Sequence, residues 1–344
     1  MDKETILVTG GAGYIGSHTI IELLATNKYN VISADCFYTS SAKAYKQIEE
    51  ITGKAFKTYN INLCDENLFE KIFIENNIDG VIHFAAFKAV GESVEEPLKY
   101  YHNNIASLVN LLTLCGKYKV TNVIFSSSCS VYGNMQILPV NEDTPTPQAE
   151  SPYAYTKQIG EQMLRDVCKQ HSLFNAIALR YFNPVGAHTS AKIGEWPLNK
   201  PNNLVPIITG TAIGKNPQLT VFGSDYPTRD GTCIRDYIHV TDIANAHVLA
   251  LDYLLQHKNK HKYEVFNLGS GNGVSVLETI AAFEKVSGKK LNYTIGARRA
   301  GDVVAVYSDS SKALSALGWK CKYDIDSMLK TAWEWELYRN ENNL

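Results

Sequence analysis

Thr5-Ile6-Leu7-Val8-Thr9-Gly10-Gly11-Ala12-Gly13-Tyr14-Ile15-Gly16 decides how the rest of the chain is read. An apolar run suited to a strand enters a glycine turn, and a helical pattern follows over Ser17–Thr26. Glycines stand at 11, 13 and 16 as GxGxxG, and also as a triplet at 10, 13 and 16. The first glycine allows a sharp exit from the strand. The next removes the Cβ where backbone must approach a pyrophosphate, and the last lets the helix pack against the sheet. The helix then begins beneath the phosphates, where its free N–H groups and its dipole favour negative charge. A second strand, expected over Asn30–Ala34, ends at Asp35, 19 residues after Gly16. A carboxylate there accepts hydrogen bonds from an adenosine ribose and repels a 2′-phosphate, so the pattern points to NAD rather than NADP. The plain alternatives are a ligand-free glycine turn and a solvated strand-end carboxylate.

The same alternation continues outward. Strands are expected at Ala55–Asn60, Gly80–Phe84, Asn122–Ser126, Asn175–Arg180 and Val265–Gly269, with helices at Glu66–Asn76, Pro97–Tyr118 and Pro152–His171. Strand alternating with helix implies a doubly wound, Rossmann-type parallel α/β sheet covered on both faces. Past Asn183 the character changes. Residues 184–231 are rich in Pro, Gly and Asn and read as an inserted lid or binding region. An ordered segment over Arg235–Gln256 and a final helical section follow. The expected division is a dinucleotide-binding domain over 1–183, with about 234–270 returning to it, and a smaller C-terminal α/β substrate domain over 184–344.

Composition narrows the partners. With 344 residues the chain suits two domains, and a formal net charge of -2 without blocks of like charge argues against nucleic acid or a membrane surface. No stretch reaches the roughly 18 apolar residues that a membrane span needs, and no signal peptide precedes the first strand, so the cytosol is the default. The seven cysteines are widely spaced without CxxC, and the nine histidines show no HExxH. Neither disulfides nor a metal site are expected.

The chemistry rests on three pieces. Strand Asn122–Ser126 runs into Ser126-Ser127-Ser128-Cys129-Ser130, and further on stands Ser151-Pro152-Tyr153-Ala154-Tyr155-Thr156-Lys157. Ser151 suits a helix cap and Pro152 a first turn. Tyr153 and Lys157 then share one helix face, about 40° apart. Tyr155 lies on the far side and cannot assist that lysine. Taking hydride from a secondary alcohol requires removal of the hydroxyl proton, and a free tyrosine of pKa about 10 is a poor base at neutral pH. A nearby ammonium and a positive nicotinamide ring would stabilise the phenolate. The lysine can also bond the nicotinamide ribose, and a strand-end serine can share the proton path. YxxxK alone is common on helix surfaces; the glycine turn and the serine strand end give it weight.

Taken together, these residues resemble the extended short-chain dehydrogenase/reductases, and within them the UDP-galactose 4-epimerases, over nearly the whole chain. Supporting stretches are residues 81–93, 179–188, 201–204, 235–240 and Arg298-Arg299-Ala300-Gly301-Asp302. The resemblance implies reversible C4 epimerisation of UDP-galactose and UDP-glucose through a 4-keto sugar with tightly held NAD, a place in galactose metabolism, and a homodimer formed through the helices near 97–118 and 152–171. It implies that Gly10, Gly13, Tyr14, Ile15, Gly16, Asp35, Asn62, Leu63, Phe84, Lys88, Asn103, Ser126, Tyr153, Lys157 and Tyr181 line the NAD site. Ser128, Tyr153 and Lys157 match catalytic positions. Ser128, Asn183, Asn203, Leu204, Phe222, Arg235, Arg299, Asp302 and Val306 match positions around the UDP-sugar.

Three positions depart from or vary within that pattern. Asn62 stands where relatives carry an adenine-side acid, and Cys36 follows Asp35 where many have Asn. Val306 aligns with a position facing the hexose 2-substituent; its small size suggests that UDP-N-acetylhexosamines are accepted as well. Other readings stay open. A 4,6-dehydratase wants an Asp-Glu pair just after Ser128, where this chain has Cys129-Ser130. UDP-glucuronate or UDP-pentose epimerases use the same machinery. A non-catalytic NAD-sensing regulator would need the glycine turn but not Tyr153 and Lys157.

Overall fold

The chain enters as a strand–helix alternation, broken only where α4 and α5 follow one another. Its elements are β1 (Glu4–Thr9), α1 (Tyr14–Ala25), β2 (Tyr29–Asp35), α2 (Lys43–Thr52), β3 (Lys57–Asn60), α3 (Glu66–Glu75), β4 (Gly80–His83), α4 (Val90–Glu95), α5 (Pro97–Tyr118), β5 (Asn122–Ser128), α6 (Pro152–Gln170) and β6 (Asn175–Tyr181). There follow β7 (Asn183–Val185), α7 (Leu204–Ala212), β8 (Leu219–Phe222), β9 (Ile234–His239), α8 (Val240–Leu255), β10 (Tyr263–Leu268), β11 (Gly273–Ser275), α9 (Val276–Ser287), β12 (Tyr293–Gly296), β13 (Ala305–Val306), α10 (Ser311–Leu317) and α11 (Ile325–Glu341). The structure is a computed structural model and describes residues 3–198, 201–299 and 302–344.

Seven strands form one sheet in the order β3-β2-β1-β4-β5-β6-β10, every pair parallel. Successive residues alternate between two apolar cores. Ile6, Val8, Ile82, Ile124 and Ile177 face one core, which includes Ile20, Leu23, Ile243 and Leu251 of α1 and α8. Leu7, Val81, Val123, Phe125 and Ala176 face the other, which includes Phe69, Leu108, Leu111 and Leu164 of α3, α5 and α6. Both faces are therefore buried, as a parallel sheet requires. This is the doubly wound Rossmann-type α/β architecture. The chain runs outward from β1 to β3, then returns to place β4 on the other side of β1. That reversal opens a crevice at the carboxyl ends of the strands.

Beyond β6 the chain builds a smaller unit. β7, β11 and β13 pair with β9, and β12 pairs with β8. Its core joins Val205, Ile208, Phe283, Leu329 and Trp333 of α7, α9 and α11. The segment expected over Arg235–Gln256 splits: β9 pairs in the smaller unit, whereas α8 packs on α1, and β10 then joins the edge of the large sheet. Residues 184–231 hold more regular structure than their composition suggested. Pro206 obscured α7, yet it stands in the first turn, where no intrahelical N–H partner is needed. α2 also escaped the pattern reading, although its Gly53 stop, left-handed at φ 66°, is a common helix-end signal.

Candidate active site

The glycine turn sets the first wall of the crevice. Gly10 has φ 70°, and a Cβ there would come within 2.7 Å of the Ala85 backbone nitrogen. A Cβ on Gly16 would strike the Gly10 carbonyl. At Gly13 such an atom would meet only Gly10 O, at 3.2 Å, and otherwise open space. Gly13 also caps α1 with backbone alone, so no side chain takes up the free N–H groups of that helix. Asp35 closes the end of β2. Its Oδ2 accepts from Ala12 N at 3.0 Å, and its Oδ1 from Phe37 N and Ser40 Oγ, both at 2.8 Å. Burial pushes the carboxyl up while these bonds hold it down. With roughly four acceptor sites on a carboxylate, one on Oδ2 is left for a ribose hydroxyl. A backbone cradle, an uncapped helix start and a fixed carboxylate suit a dinucleotide.

Other expected cofactor residues ring this crevice. Tyr14 donates to Gly186 O at 2.5 Å, and Ile15 packs on the first core. Asn62 accepts from Cys64 N at 3.0 Å, and Leu63 is buried in the second core. Phe84, at the end of β4, packs on His247 with ring centroids 4.5 Å apart. Asn103 donates to Asn104, which in turn bonds both backbone groups of Phe87 and the Thr156 hydroxyl. Asn104 thus ties the loop carrying Lys88 to α5 and α6.

Tyr153 and Lys157 are both buried at the carboxyl end of β5. Ser151 caps α6 by accepting from Ala154 N at 3.2 Å, with Pro152 in the first turn. Lys157 Nζ donates to Ser126 O at 2.7 Å and lies 5.8 Å from the Tyr153 ring centroid. Ser126 and Tyr181 share a hydroxyl–hydroxyl bond of 2.5 Å. Burial lowers Lys157 to about 8, with Glu161 holding it up. It pushes the Tyr153 phenol well above its ordinary value; neighbouring Tyr181 adds to this and the Ser128 hydroxyl opposes it. The sequence suggested that Lys157 and a positive nicotinamide ring together would draw the phenol down. The ammonium is instead directed at the Ser126 carbonyl, and the dry surroundings penalise both charged forms. Tyr155 is half exposed and packs edge-on to Tyr101, away from Lys157.

A second cluster faces the smaller unit. Arg235 Nη1 donates to Val303 O at 2.6 Å, and its Nη2 lies 3.8 Å from Asp302 Oδ1. Arg299 grips the same oxygen through Nη2 at 2.7 Å and sits 5.8 Å from the Phe222 ring centroid. Phe222 is exposed, and Val306 is buried in a cluster with Val131, Tyr132 and Phe182. Asn183 opens β7, and Asn203 stands at the N-cap of α7, whose first residue is Leu204. Ala300 and Gly301 lie outside the described residues. Arg235 is close enough to act electrostatically on Cys129, next to Ser128. Among the described residues no cluster of metal-ligating side chains occurs and no helix is long and apolar enough to cross a membrane.

A family model described as GDP-mannose 4,6 dehydratase matches residues 7–332. The UDP-glucose 4-epimerase of Drosophila melanogaster is 48% identical over 342 residues, covering 98% of this chain and 97% of its own. The Bifidobacterium longum UDP-glucose 4-epimerase, solved in complex with NAD+ and UDP, is 48% identical with a TM-score of 0.94, covering 99% of this chain and 100% of its own. The chain belongs to the UDP-glucose 4-epimerase family. Another member, from Stenotrophomonas maltophila, was solved with bound NAD and formylated UDP-arabinopyranose; it is 43% identical with a TM-score of 0.94, covering 98% of this chain and 99% of its own.

Within this epimerase fold the position after Ser128 carries Cys129 and Ser130 in a short turn, with no carboxylate. The dehydratase description therefore fits the wider family better than this site. Sequence reasoning missed the support beneath the pair. Glu161, one turn past Lys157, accepts from Ser127 at 2.6 Å and from Arg180 at 2.8 and 2.6 Å, and Arg180 donates to Tyr132 at 2.9 Å. All four side chains are buried. The available signal was Arg180 itself: a charge in a strand read as apolar demands a buried partner.

Proposed function

We propose that this chain interconverts UDP-galactose and UDP-glucose by inverting C4 of the hexose, with NAD held in the crevice at the glycine turn. The observation that carries the reading is the buried Tyr153–Lys157 pair at the Ser126–Ser128 strand end, and it is supported by the Arg235–Asp302–Arg299 cluster of the smaller unit. Gly10, Gly13, Tyr14, Ile15, Gly16, Asp35, Asn62, Leu63, Phe84, Lys88, Asn103, Ser126 and Tyr181 would hold the dinucleotide. NAD, when bound, would supply a reversible hydride acceptor for C4 of the hexose. Tyr153 Oη takes the 4′-hydroxyl proton and later gives it back; Ser128 steadies that proton. Lys157 holds positive charge near the phenol and offers its remaining N–H groups to a ribose. Burial alone opposes the phenolate, so the base form depends on the positive nicotinamide ring as well as on Lys157. Arg235 and Arg299 suit phosphate oxygens, with Asn183, Asn203, Leu204 and Phe222 beside the nucleotide. A firm grip on UDP and a loose one on the hexose allow the sugar to turn over between the two transfers.

We assign cofactor binding to residues 1–183 together with α8 and β10, which return to the large sheet, and nucleotide-sugar binding to the rest of the chain beyond 183; β9, at the start of the segment expected to return, stays in the smaller unit. We further propose a homodimer through α5 and α6, supported by exposed Leu98, Val109 and Leu173 and by an apolar groove of about 530 Å³ along Val109, Leu112, Met163 and Phe174. Seven free cysteines suit a reducing cytosol. Val306 favours acceptance of UDP-N-acetylhexosamines; no turnover of UDP-GlcNAc at saturation would remove that extension.

The deciding experiment is the absorbance spectrum of the purified protein before and after UDP-galactose, with analysis of the sugar. Bound nicotinamide and UDP-glucose without stoichiometric NADH are the expected result. Stoichiometric NADH would mean a dehydrogenase, and neither cofactor nor product would favour a regulator.

A further inference from the structure

Glu195 stands between two groups of residues that the functional reading assigns to different ligands. Its Oε1 accepts from Lys88 Nζ at 3.1 Å and from Asn203 Nδ2 at 2.7 Å. Its backbone carbonyl accepts from the Trp335 indole at 2.9 Å, which anchors the segment to α11. The Lys88 ammonium also lies 5.9 Å from the Tyr14 ring centroid, and the Glu195 charge helps to hold the Tyr14 phenol above its ordinary value. The Glu195 side chain is only 15% exposed, whereas that of Lys88 is 59% exposed. The carboxylate is thus the enclosed member and the lysine the exposed one.

We propose that Glu195 is a positioning residue that couples the two ligand sites: one carboxylate orients Lys88 toward the cofactor crevice and Asn203 toward the nucleotide-sugar cleft, so that filling either site tightens the other. This rests on the assignment of NAD and a UDP-sugar to those sites. An ammonium has three donors and an amide nitrogen two. Each side chain gives one to Glu195 and keeps others for a ligand, so the clasp survives binding. A ligand that fixes Lys88 also fixes Glu195 and hence Asn203, and the second ligand meets side chains already ordered. Without the carboxylate each ligand must order its own contact, at the full rotamer-entropy cost of a free lysine.

The test uses the NAD-loaded protein and UDP as the probe. Exchange of bound NAD for isotopically labelled NAD is followed with and without saturating UDP, together with UDP affinity by calorimetry and the melting midpoint. In the parent, UDP should slow exchange about tenfold, within the usual range of site–site coupling. In Glu195→Ala that ratio should fall close to one and UDP should bind more weakly. Glu195→Gln, which keeps an acceptor oxygen, should restore part of the ratio. A purely structural lesion would lower the melting midpoint and speed exchange, yet leave the ratio intact; that result overturns the proposal, as does a parent in which UDP leaves exchange unchanged. Should the alanine chain not fold, the glutamine chain decides, a parental ratio overturning the coupling and a reduced one supporting it. A parent that carries no nicotinamide and binds no UDP would instead overturn the functional reading.

Discussion

Tyr153 has to act as a base in surroundings that favour its neutral form. The helical spacing to Lys157 was legible in the sequence, because four residues fix a common face. What the spacing could not show is where the ammonium points: the Ser126 carbonyl that receives it belongs to another element. Tyr153→Phe should lower turnover by about three orders of magnitude while leaving NAD bound, as product chromatography and the absorbance of released cofactor would show. Near-parental turnover would disqualify Tyr153. Lys157 carries a cost of its own. Its folded value of about 8 lies below the ordinary 10.5. Between those values the unfolded chain binds the extra proton, so stability rises with pH there and the penalty stands in full below about pH 8. Lys157→Met should therefore stabilise the fold by about 1–3 kcal/mol at pH 7, at the expense of turnover, and the gain should fade by pH 10. Urea unfolding at the two pH values tests this; equal gains at both would contradict it.

Among the elements, α6 is fastened to the sheet by charge as well as by apolar packing. Glu161 on α6 and Arg180 on β6 form a buried fork that also engages Ser127 of β5 and Tyr132. Breaking one side leaves a buried charge alone. Glu161→Leu should cost about 3–5 kcal/mol in denaturant unfolding, whereas the double change with Arg180→Leu should recover most of it. Additive losses would show that the two groups do not act as a pair. The strands around this fork were legible, since their apolar runs are bounded by turn residues and separated by helical patterns. Its partners were not, because pairing between β5, α6 and β6 depends on sheet order, which no local pattern contains. α7 stayed hidden for a different reason: Pro206 reads as a breaker unless its place in the first turn is known.

On the scale of the whole molecule, burial of imidazoles sets the response to acid. His18 and His83 are lowered to about 3, and His239 and His247 to about 4, each mainly by burial. Unfolded, they titrate near 6.5, so between these values the unfolded state binds more protons and stability falls as pH falls. The buried carboxyls Asp35, Asp236 and Asp242 are pushed up and work in the opposite sense nearer their ordinary range. Melting scans should show the midpoint falling as the pH drops from about 6.5 toward about 4; a flat midpoint over that window would mean that these imidazoles are solvated. The parallel sheet covered on both faces was legible from alternation alone. How the smaller unit meets it was not, because β9 and α8 are consecutive in the chain yet serve different layers.

The last strand of the large sheet also fixes a timetable. β6 ends at Tyr181, but β10, which pairs with it, ends only at Leu268. At about 5–20 residues per second a ribosome takes roughly 4–17 s to deliver the intervening chain. Throughout that interval the outer edge of β6 offers unpaired backbone groups to any neighbouring strand, and α8, which covers α1, arrives only shortly before β10. An open sheet edge is therefore built into every round of synthesis until β10 arrives.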